Sequence, residues 1–438
     1  MKYSQFNSVV RINDSIFLHN TYTDKMMGIT AETELIINAA KHEGFDEVGL
    51  YKPKFYKALV DNQFLVEDEV DEVQLIKDLQ VYIDNDVTSY SLTINPTMNC
   101  NFKCWYCYES HVKSSKMDEE IVRRLKSFII QTIEKNKHLK YFNISWFGGE
   151  PLLYFYDIIE PMLRFVSEIQ SKTTVTFRTG FTSNGFLITP KMVSILSDFN
   201  VGSFQITLDG HEEDHDKVRF VNKSRGSYKA ILDNIYLLLS NKVSVRLRIN
   251  YTHANVDKCY MIIESLKDLS SEQRKSLQIS FHRVWQNHGT DDANTSIALR
   301  QQIALFNRAK LFAVESELLI DNVKNSCYAD KANSAVLNYN GDIFKCTARD
   351  FIGKKREGYI DPEGNIIWEN NSLEVRLNSK FKNPPCLKCR LLPVCNGGCS
   401  QFALEATEKK IEYCVFSYDE KLKDEVVINK CNDILALI

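Results

Sequence analysis

No sign of charge dominates this chain: 54 Lys and Arg stand against 57 Asp and Glu, for a formal charge of −3. There is no whole-chain basic field to hold a nucleic acid or an anionic membrane surface, so neither partner is expected. No window approaches about eighteen uninterrupted apolar residues, and Met1 to Val10 lacks an apolar h-region, which argues against a membrane span and a secretory signal. The expectation is a cytoplasmic protein. The chain also lacks a Walker A loop, H-E-x-x-H, G-x-S-x-G and the Rossmann glycine fingerprint. Phosphoryl transfer, zinc hydrolysis and serine hydrolysis therefore have no motif behind them.

What is present is cysteine, twelve in 438 residues, with 44% hydrophobic content to fill a core. Without an export signal, spaced cysteines read as metal sites and not as disulfides. Cys100, Cys104 and Cys107 fall at C-x-x-x-C-x-x-C spacing, with Tyr106 just before the third. A four-iron cluster has four corners and cysteine thiolates as its usual ligands, so three cysteines leave one iron open to an exogenous molecule. A zinc knuckle is the alternative, but zinc at structural sites prefers a fourth protein ligand and only His111 follows closely. The triplet resembles that of the radical S-adenosylmethionine enzymes. By that resemblance the open iron holds the amino and carboxylate groups of S-adenosyl-L-methionine, which one electron cleaves to a 5′-deoxyadenosyl radical.

Around this loop the sequence alternates strand and helix six times, with strand patterns at about residues 91–97, 141–147, 174–183, 203–209, 243–252 and 277–284. Ile121, Leu125, Phe128, Ile129 and Ile133 mark the clearest amphipathic helix. Alternation implies a parallel sheet with helices outside it, and the resemblance implies a partial (β/α)6 barrel over residues 89–318. Barrel enzymes carry chemistry on the loops after their strands, and the cysteine loop follows the first.

Further motifs fall on the same edge. Gly148-Gly149-Glu150-Pro151 stands 41 residues after Cys107, glycines admitting a ligand close to the backbone and a carboxylate suiting an ammonium group. In the family, such a segment receives the amino group of the methionyl moiety. By the same resemblance Ser183, Asn184 and Thr207 meet hydroxyl or ribose groups, Arg219 meets the carboxylate, and Tyr106 belongs to the cofactor site. Asn250 is a weaker candidate. Taken singly, Asn184-Gly185 and Asp209-Gly210 read equally well as tight turns. No catalytic residue is singled out, Asp209 and Glu213 being candidate bases.

Residues 1–88 read as a unit of their own. A hairpin pairs Ser8 to Ile12 with Ile16 to Asn20 through Asn13-Asp14, and helices follow at about 31–44 and 54–62, then Phe64-Leu65-Val66 and an acidic helix from about Asp68. The layout resembles a winged-helix-like α+β leader-recognition domain, in which a precursor peptide adds a strand to a sheet edge. A brace against the barrel is the alternative. Residues 319–438 hold Cys327, Cys346, Cys386, Cys389, Cys395, Cys399 and Cys414. Their order resembles the SPASM domain of peptide-modifying radical enzymes. The resemblance assigns Cys386, Cys389, Cys395 and Cys414 to an outer auxiliary cluster, and Cys327, Cys346 and Cys399 to an inner one. Cys259 and Cys431 read as buried hydrophobes, with Cys431 also able to close the inner cluster.

These readings imply three [4Fe-4S] clusters, a reductant such as flavodoxin or ferredoxin, and oxidative modification of a precursor peptide bearing a leader, through a thioether, carbon-carbon or carbon-oxygen crosslink. An anaerobic sulfatase maturase forming formylglycine is the second reading, disfavoured by the roughly 100 residues ahead of the triplet. A non-catalytic peptide-binding iron-sulfur protein is the third.

Overall fold

A computed structural model describes residues 1–199, 201–222, 225–284, 286, 293–315 and 326–435. Its contacts group into two compact units. One comprises residues 1–86, 320–332 and 373–438, the other residues 87–319 and 333–372.

The first unit opens with β1 (Lys2–Tyr3), then a three-stranded antiparallel sheet of β2 (Asn7–Ile12), β3 (Ser15–Asn20) and β4 (Lys25–Ile29) in that order. The β2–β3 turn passes through Asn13 at φ 53°, a left-handed position that Asn tolerates. Helices α1 (Ala31–Glu43), α2 (Asp46–Tyr51) and α3 (Pro53–Asp61) follow, then β5 (Leu65–Val66), which pairs with β1, and α4 (Glu72–Asp84). Thr30 and Thr33 form a capping box that starts α1. The acidic helix begins at Glu72 and not near Asp68, because Asp71 caps it through the Gln74 N–H while Asp68 pairs with the N-terminal ammonium at 3.0 Å. Leu18, Ile37, Leu59 and Phe64 fill the core of this part.

The second unit is built on β6 (Ser89–Asn95), α5 (Glu119–Lys135), β7 (Tyr141–Trp146), α6 (Glu160–Lys172), β8 (Thr176–Ser183), α7 (Pro190–Leu196), β9 (Val201–Leu208) and α8 (Glu212–Val218). A short hairpin, β10 (Phe220–Asn222) with β11 (Arg225–Gly226), leads into α9 (Tyr228–Ser240), β12 (Ser244–Tyr251), α10 (Ile262–Ser265), α11 (Ser271–Lys275), β13 (Leu277–Arg283), α12 (Ala293–Arg308) and β14 (Ala313–Glu315). Strands β6, β7, β8, β9, β12 and β13 are parallel neighbours in that order. This is the expected six-stranded partial barrel. One face of each strand packs under the helices: Leu247 and Ile249 alternate with Arg246, Arg248 and Asn250 along β12, and Ile121, Leu125 and Ile129 of α5 close the same core.

Beyond β6 the sheet continues through β15 (Ser334–Asn338), parallel to β6, and the antiparallel β16 (Asp342–Phe344), β17 (Gly358–Ile360) and β18 (Ile366–Trp368). With β14 parallel to β13 at the other edge, the sheet runs to eleven strands.

The first unit is completed by α13 (Ser372–Leu377), α14 (Leu392–Cys395), α15 (Ser400–Lys409) and α16 (Glu420–Leu435). Phe6, Ile76 and Leu392 share one small core, so the two ends of the chain support each other. Among the described residues no helix is long and apolar enough to cross a membrane.

Candidate active site

The cysteine loop leaves the carboxyl end of β6 and is closed at its base by Ser115. The Thr97 hydroxyl donates to the Ser115 carbonyl at 2.7 Å, and the Met98 N–H donates to the Ser115 hydroxyl at 2.8 Å. Farther along, the Tyr108 hydroxyl donates to the Thr347 carbonyl at 2.8 Å and the Ser110 N–H to Asp350 at 2.8 Å. Cys100, Cys104 and Cys107 line one cavity together with Gly148, Gly149 and Asn184. Ser183, Thr207 and Arg219 reach the same cavity.

Gly148 and Gly149 lie at φ 75° and 47°. A Cβ on Gly149 would sit 2.2 Å from the Asn99 carbonyl oxygen and one on Gly148 would sit 2.6 Å from Asn95 Cβ, so only glycine lets this turn press against the cysteine loop. The Glu150 N–H seals the approach with a 2.8 Å bond to the Asn99 carbonyl.

Glu150 points away from solvent and is fully buried. Its Oε1 accepts from the Leu152 N–H at 3.0 Å and the Ser183 hydroxyl at 2.9 Å, and its Oε2 accepts from the Asn184 N–H at 2.8 Å. The carboxylate thus ties the end of β7 to the end of β8. Burial pushes it up to about 7, against the lowering pull of these donors. The Ser183 hydroxyl, expected at hydroxyl or ribose groups, donates to Glu150 and accepts from the Gly185 N–H at 3.0 Å. The Asn184 side chain donates to Asn101 Oδ1 at 2.8 Å, joining β8 to the cysteine loop.

Tyr106 occupies the centre of a second network. Its hydroxyl donates to Asp209, with oxygens at 2.6 and 2.8 Å, and accepts from Arg219 Nη2 at 2.7 Å and Asn250 Nδ2 at 2.9 Å. Arg219 Nε and Asp209 Oδ2 form a buried ion pair at 2.5 Å. Asp209 is therefore held by a guanidinium and a phenol, and Glu213, on α8, is exposed. The Asp209 N–H donates to Nδ1 of the fully buried His215 at 3.2 Å, whose Nε2 meets the Ser227 hydroxyl at 3.0 Å. Burial pushes this imidazole down to about 4, which keeps it neutral.

A region resembling the radical SAM superfamily model spans residues 94–258, from the end of β6 past β12. SuiB of Streptococcus suis bound to the precursor peptide SuiA superposes with a TM-score of 0.56 at 15% identity, covering 94% of this chain and 99% of that one. The chain is similar to the radical SAM superfamily over this region and shares its fold. AdoMet-bound anSMEcpe superposes with a TM-score of 0.62 at 17% identity, covering 80% of this chain and 95% of that one. A cysteine-type anaerobic sulfatase-maturating enzyme of Clostridium novyi is 24% identical over 348 residues, 71% of this chain and 88% of its own length. The radical SAM cyclopropyl synthase TigE of Paramaledivibacter caminithermalis is 24% identical over 343 residues, 71% of this chain and 67% of its own.

The donor set fits a radical SAM cluster: three soft thiols from one loop, in a cavity with no room for a side chain on Gly149. Burial holds all three as thiols in the bare protein, pushing Cys100 up to about 12 and Cys107 up to about 11, so the charge of bound iron is what favours thiolate. Glu109, which the sequence reading passed over, lines the same cavity and accepts the Gly149 N–H at 2.6 Å. Burial pushes its carboxyl up to about 7. Its only sequence signal was adjacency, two residues past the third cysteine. His111 Nε2 lies 3.6 Å from Cys107 Sγ.

In the first unit Cys386, Cys389, Cys395 and Cys414 line one cavity, with Tyr413 and Lys423. Cys399 caps α15 and Cys327 begins the 3₁₀ turn Tyr328–Asp330, while Cys346 follows β16 in the second unit. Cys259 and Cys431 are fully buried.

Proposed function

We propose that this protein is a radical SAM enzyme that oxidatively modifies a side chain of a ribosomally made precursor peptide, forming a thioether, carbon-carbon or carbon-oxygen crosslink. The observation that carries the reading is the convergence of Cys100, Cys104 and Cys107 with the Gly148–Glu150 turn and the Ser183–Asn184 strand end in one cavity. When bound there, the cluster and S-adenosyl-L-methionine supply a 5′-deoxyadenosyl radical able to take a hydrogen atom from carbon. The chain's own residues do the positioning. Gly148 and Gly149 bring backbone against the ligand, Glu150 fixes the Ser183–Asn184 end, and Tyr106, locked by Asp209, Arg219 and Asn250, presents an immobile ring beside the third cysteine. Arg219 reaches the cavity with its charge already shared with Asp209, so a ligand carboxylate would be its second anion.

We assign an outer auxiliary cluster to Cys386, Cys389, Cys395 and Cys414, supported by their common cavity, and an inner one to Cys327, Cys346 and Cys399 on the SPASM pattern. Either would give the second electron of an oxidation somewhere to go. Strands β2 and β4 are the two edges of their sheet, each paired by β3 on one side, and we infer that a precursor's leader adds a strand at one of them. The superpositions favour a peptide maturase with such a unit: the SuiB structure covers 94% of this chain, whereas anSMEcpe covers 80%. Sulfatase maturation is the second reading, favoured by the identity to the Clostridium novyi enzyme. Anaerobic incubation with reductant, S-adenosyl-L-methionine and either the short peptide encoded beside this gene or a Cys-containing sulfatase peptide decides between them. Loss of two hydrogens from the first substrate supports the proposal. Loss of sulfur from the second, with the first untouched, establishes the alternative.

A further inference from the structure

The six barrel strands contain no Asp or Glu at all, but four Arg. Two of these, Arg246 and Arg248, stand one above the other on the inner face of β12, opposite the side that packs under the helices. The register sets Arg246 between Gln205 of β9 and Gln278 of β13, and Arg248 between Thr207 and Ser280. Arg248 is thus level with Thr207, which lines the cysteine cavity.

Among the described residues each guanidinium is held through one nitrogen, leaving the other two for a guest. Arg246 Nε donates to Gln278 Oε1 at 3.1 Å, and Arg248 Nε donates to Asn250 Oδ1 at 2.8 Å. Asn250 in turn donates to the Tyr106 hydroxyl, so Arg248 is coupled to the site through one amide. Among the described residues neither arginine has a carboxylate partner, and Asp209, at the end of the neighbouring β9, is paired with Arg219. Two like charges therefore stand on one face of β12, Arg248 half-buried and Arg246 exposed at its outer end. Their combined field is felt at His282, whose imidazole they help to keep neutral. Nothing in the fold requires this arrangement, since neutral side chains would satisfy Gln278 and Asn250. An arginine fork with its Nε anchored is preorganised for two parallel hydrogen bonds to a carboxylate.

We propose that Arg246 and Arg248 form an anion subsite on the inner face of the barrel that takes a carboxylate of the peptide substrate, either an Asp or Glu side chain close to the modified residue or the peptide's C-terminus. The proposal rests on the maturase reading and deepens it: the subsite selects acidic peptides and sets which residue comes under the radical.

The test uses the full, cluster-loaded chain with S-adenosyl-L-methionine bound, and labelled acetyl-Gly-Ala-Glu-Ala-Gly-amide with its Gln and Lys counterparts. A free-acid Gly-Ala-Gly and its amide separate a C-terminal carboxylate from a side-chain one. In low salt the Glu peptide or the free acid should bind about tenfold or more tighter than its neutral partner, and the Arg246→Gln, Arg248→Gln double variant should erase the difference. Arg246→Glu, at an exposed position, should invert the preference toward the Lys peptide, which a merely structural arginine would not do. Acidic and neutral peptides that bind alike, or that both fail to bind, overturn the subsite, as does a preference that survives the double variant. The comparison is of binding and needs no turnover, so failure of the subsite and failure of the maturase reading are separate results.

Discussion

Glu150→Gln is the substitution with the most calculable consequence. Glu150 serves three donors with two oxygens, the Leu152 N–H, the Ser183 hydroxyl and the Asn184 N–H. Gln keeps one acceptor and turns the other position into a donor, leaving a buried backbone N–H opposed, at a cost of about 1 to 3 kcal/mol. A second effect depends on pH. The folded carboxyl is raised from 4.5 to about 7 by burial, so the folded protein binds the proton more tightly than the unfolded chain does. The stability this contributes is fully present below about pH 4.5 and is lost as pH rises through about 7. Between about pH 5 and pH 8 that amounts to about 2 to 3 kcal/mol, and Gln has no counterpart. The metal-free wild type should therefore exceed the Gln variant in stability by more at pH 5 than at pH 8, in urea unfolding of the two proteins side by side. Hydrogen exchange at the Asn184 and Leu152 amides should localise the loss. A difference between the two proteins that does not vary with pH would refute the claim that the buried carboxyl takes up a proton on folding.

Three further outcomes are expected. Gly149→Ala places a Cβ 2.2 Å from the Asn99 carbonyl at φ 47°, so iron binding by the triplet and S-adenosyl-L-methionine cleavage should both fall steeply; an iron assay and product chromatography check this. Arg219→Met strands buried Asp209, and should destabilise the second unit by about 3 to 5 kcal/mol in chemical unfolding. Adding Asp209→Asn should recover most of that loss, while Tyr106 remains without its arginine.

The barrel was legible because its signals are local. Apolar residues alternate along β12 and recur at helical spacing along α5, and these periods fixed each strand to within a few residues. The position of Cys100, Cys104, Cys107, Gly148, Gly149, Asn184 and Thr207 around one cavity followed from their places after successive strands. What stayed hidden depends on partners far along the chain. Nothing near Ser183 says that its hydroxyl belongs to Glu150, 33 residues earlier, nor does the Asp209-Gly210 turn announce a carboxylate held by Arg219 and Tyr106. Asp209 read as a candidate base because its partner is invisible in a one-dimensional pattern. Strand β4 was missed since Lys25–Ile29 lacks alternation, and the start of α4 was misplaced because Asp68 and Asp71 look alike until one of them caps. The sheet's extension through β15 to β18 rests on pairing between β6 and a segment over 240 residues later, which no local period encodes.

An open-iron site on Cys100, Cys104 and Cys107 should hold and cleave S-adenosyl-L-methionine. The most direct test is 5′-deoxyadenosine formation under dithionite, with iron counted in the same samples, for the wild type and for the variant with all three cysteines replaced by Ala. Abundant product and roughly twelve irons are expected in the wild type, against no product and roughly eight irons in the variant. Product formation at the wild-type rate by the triple variant would contradict that assignment.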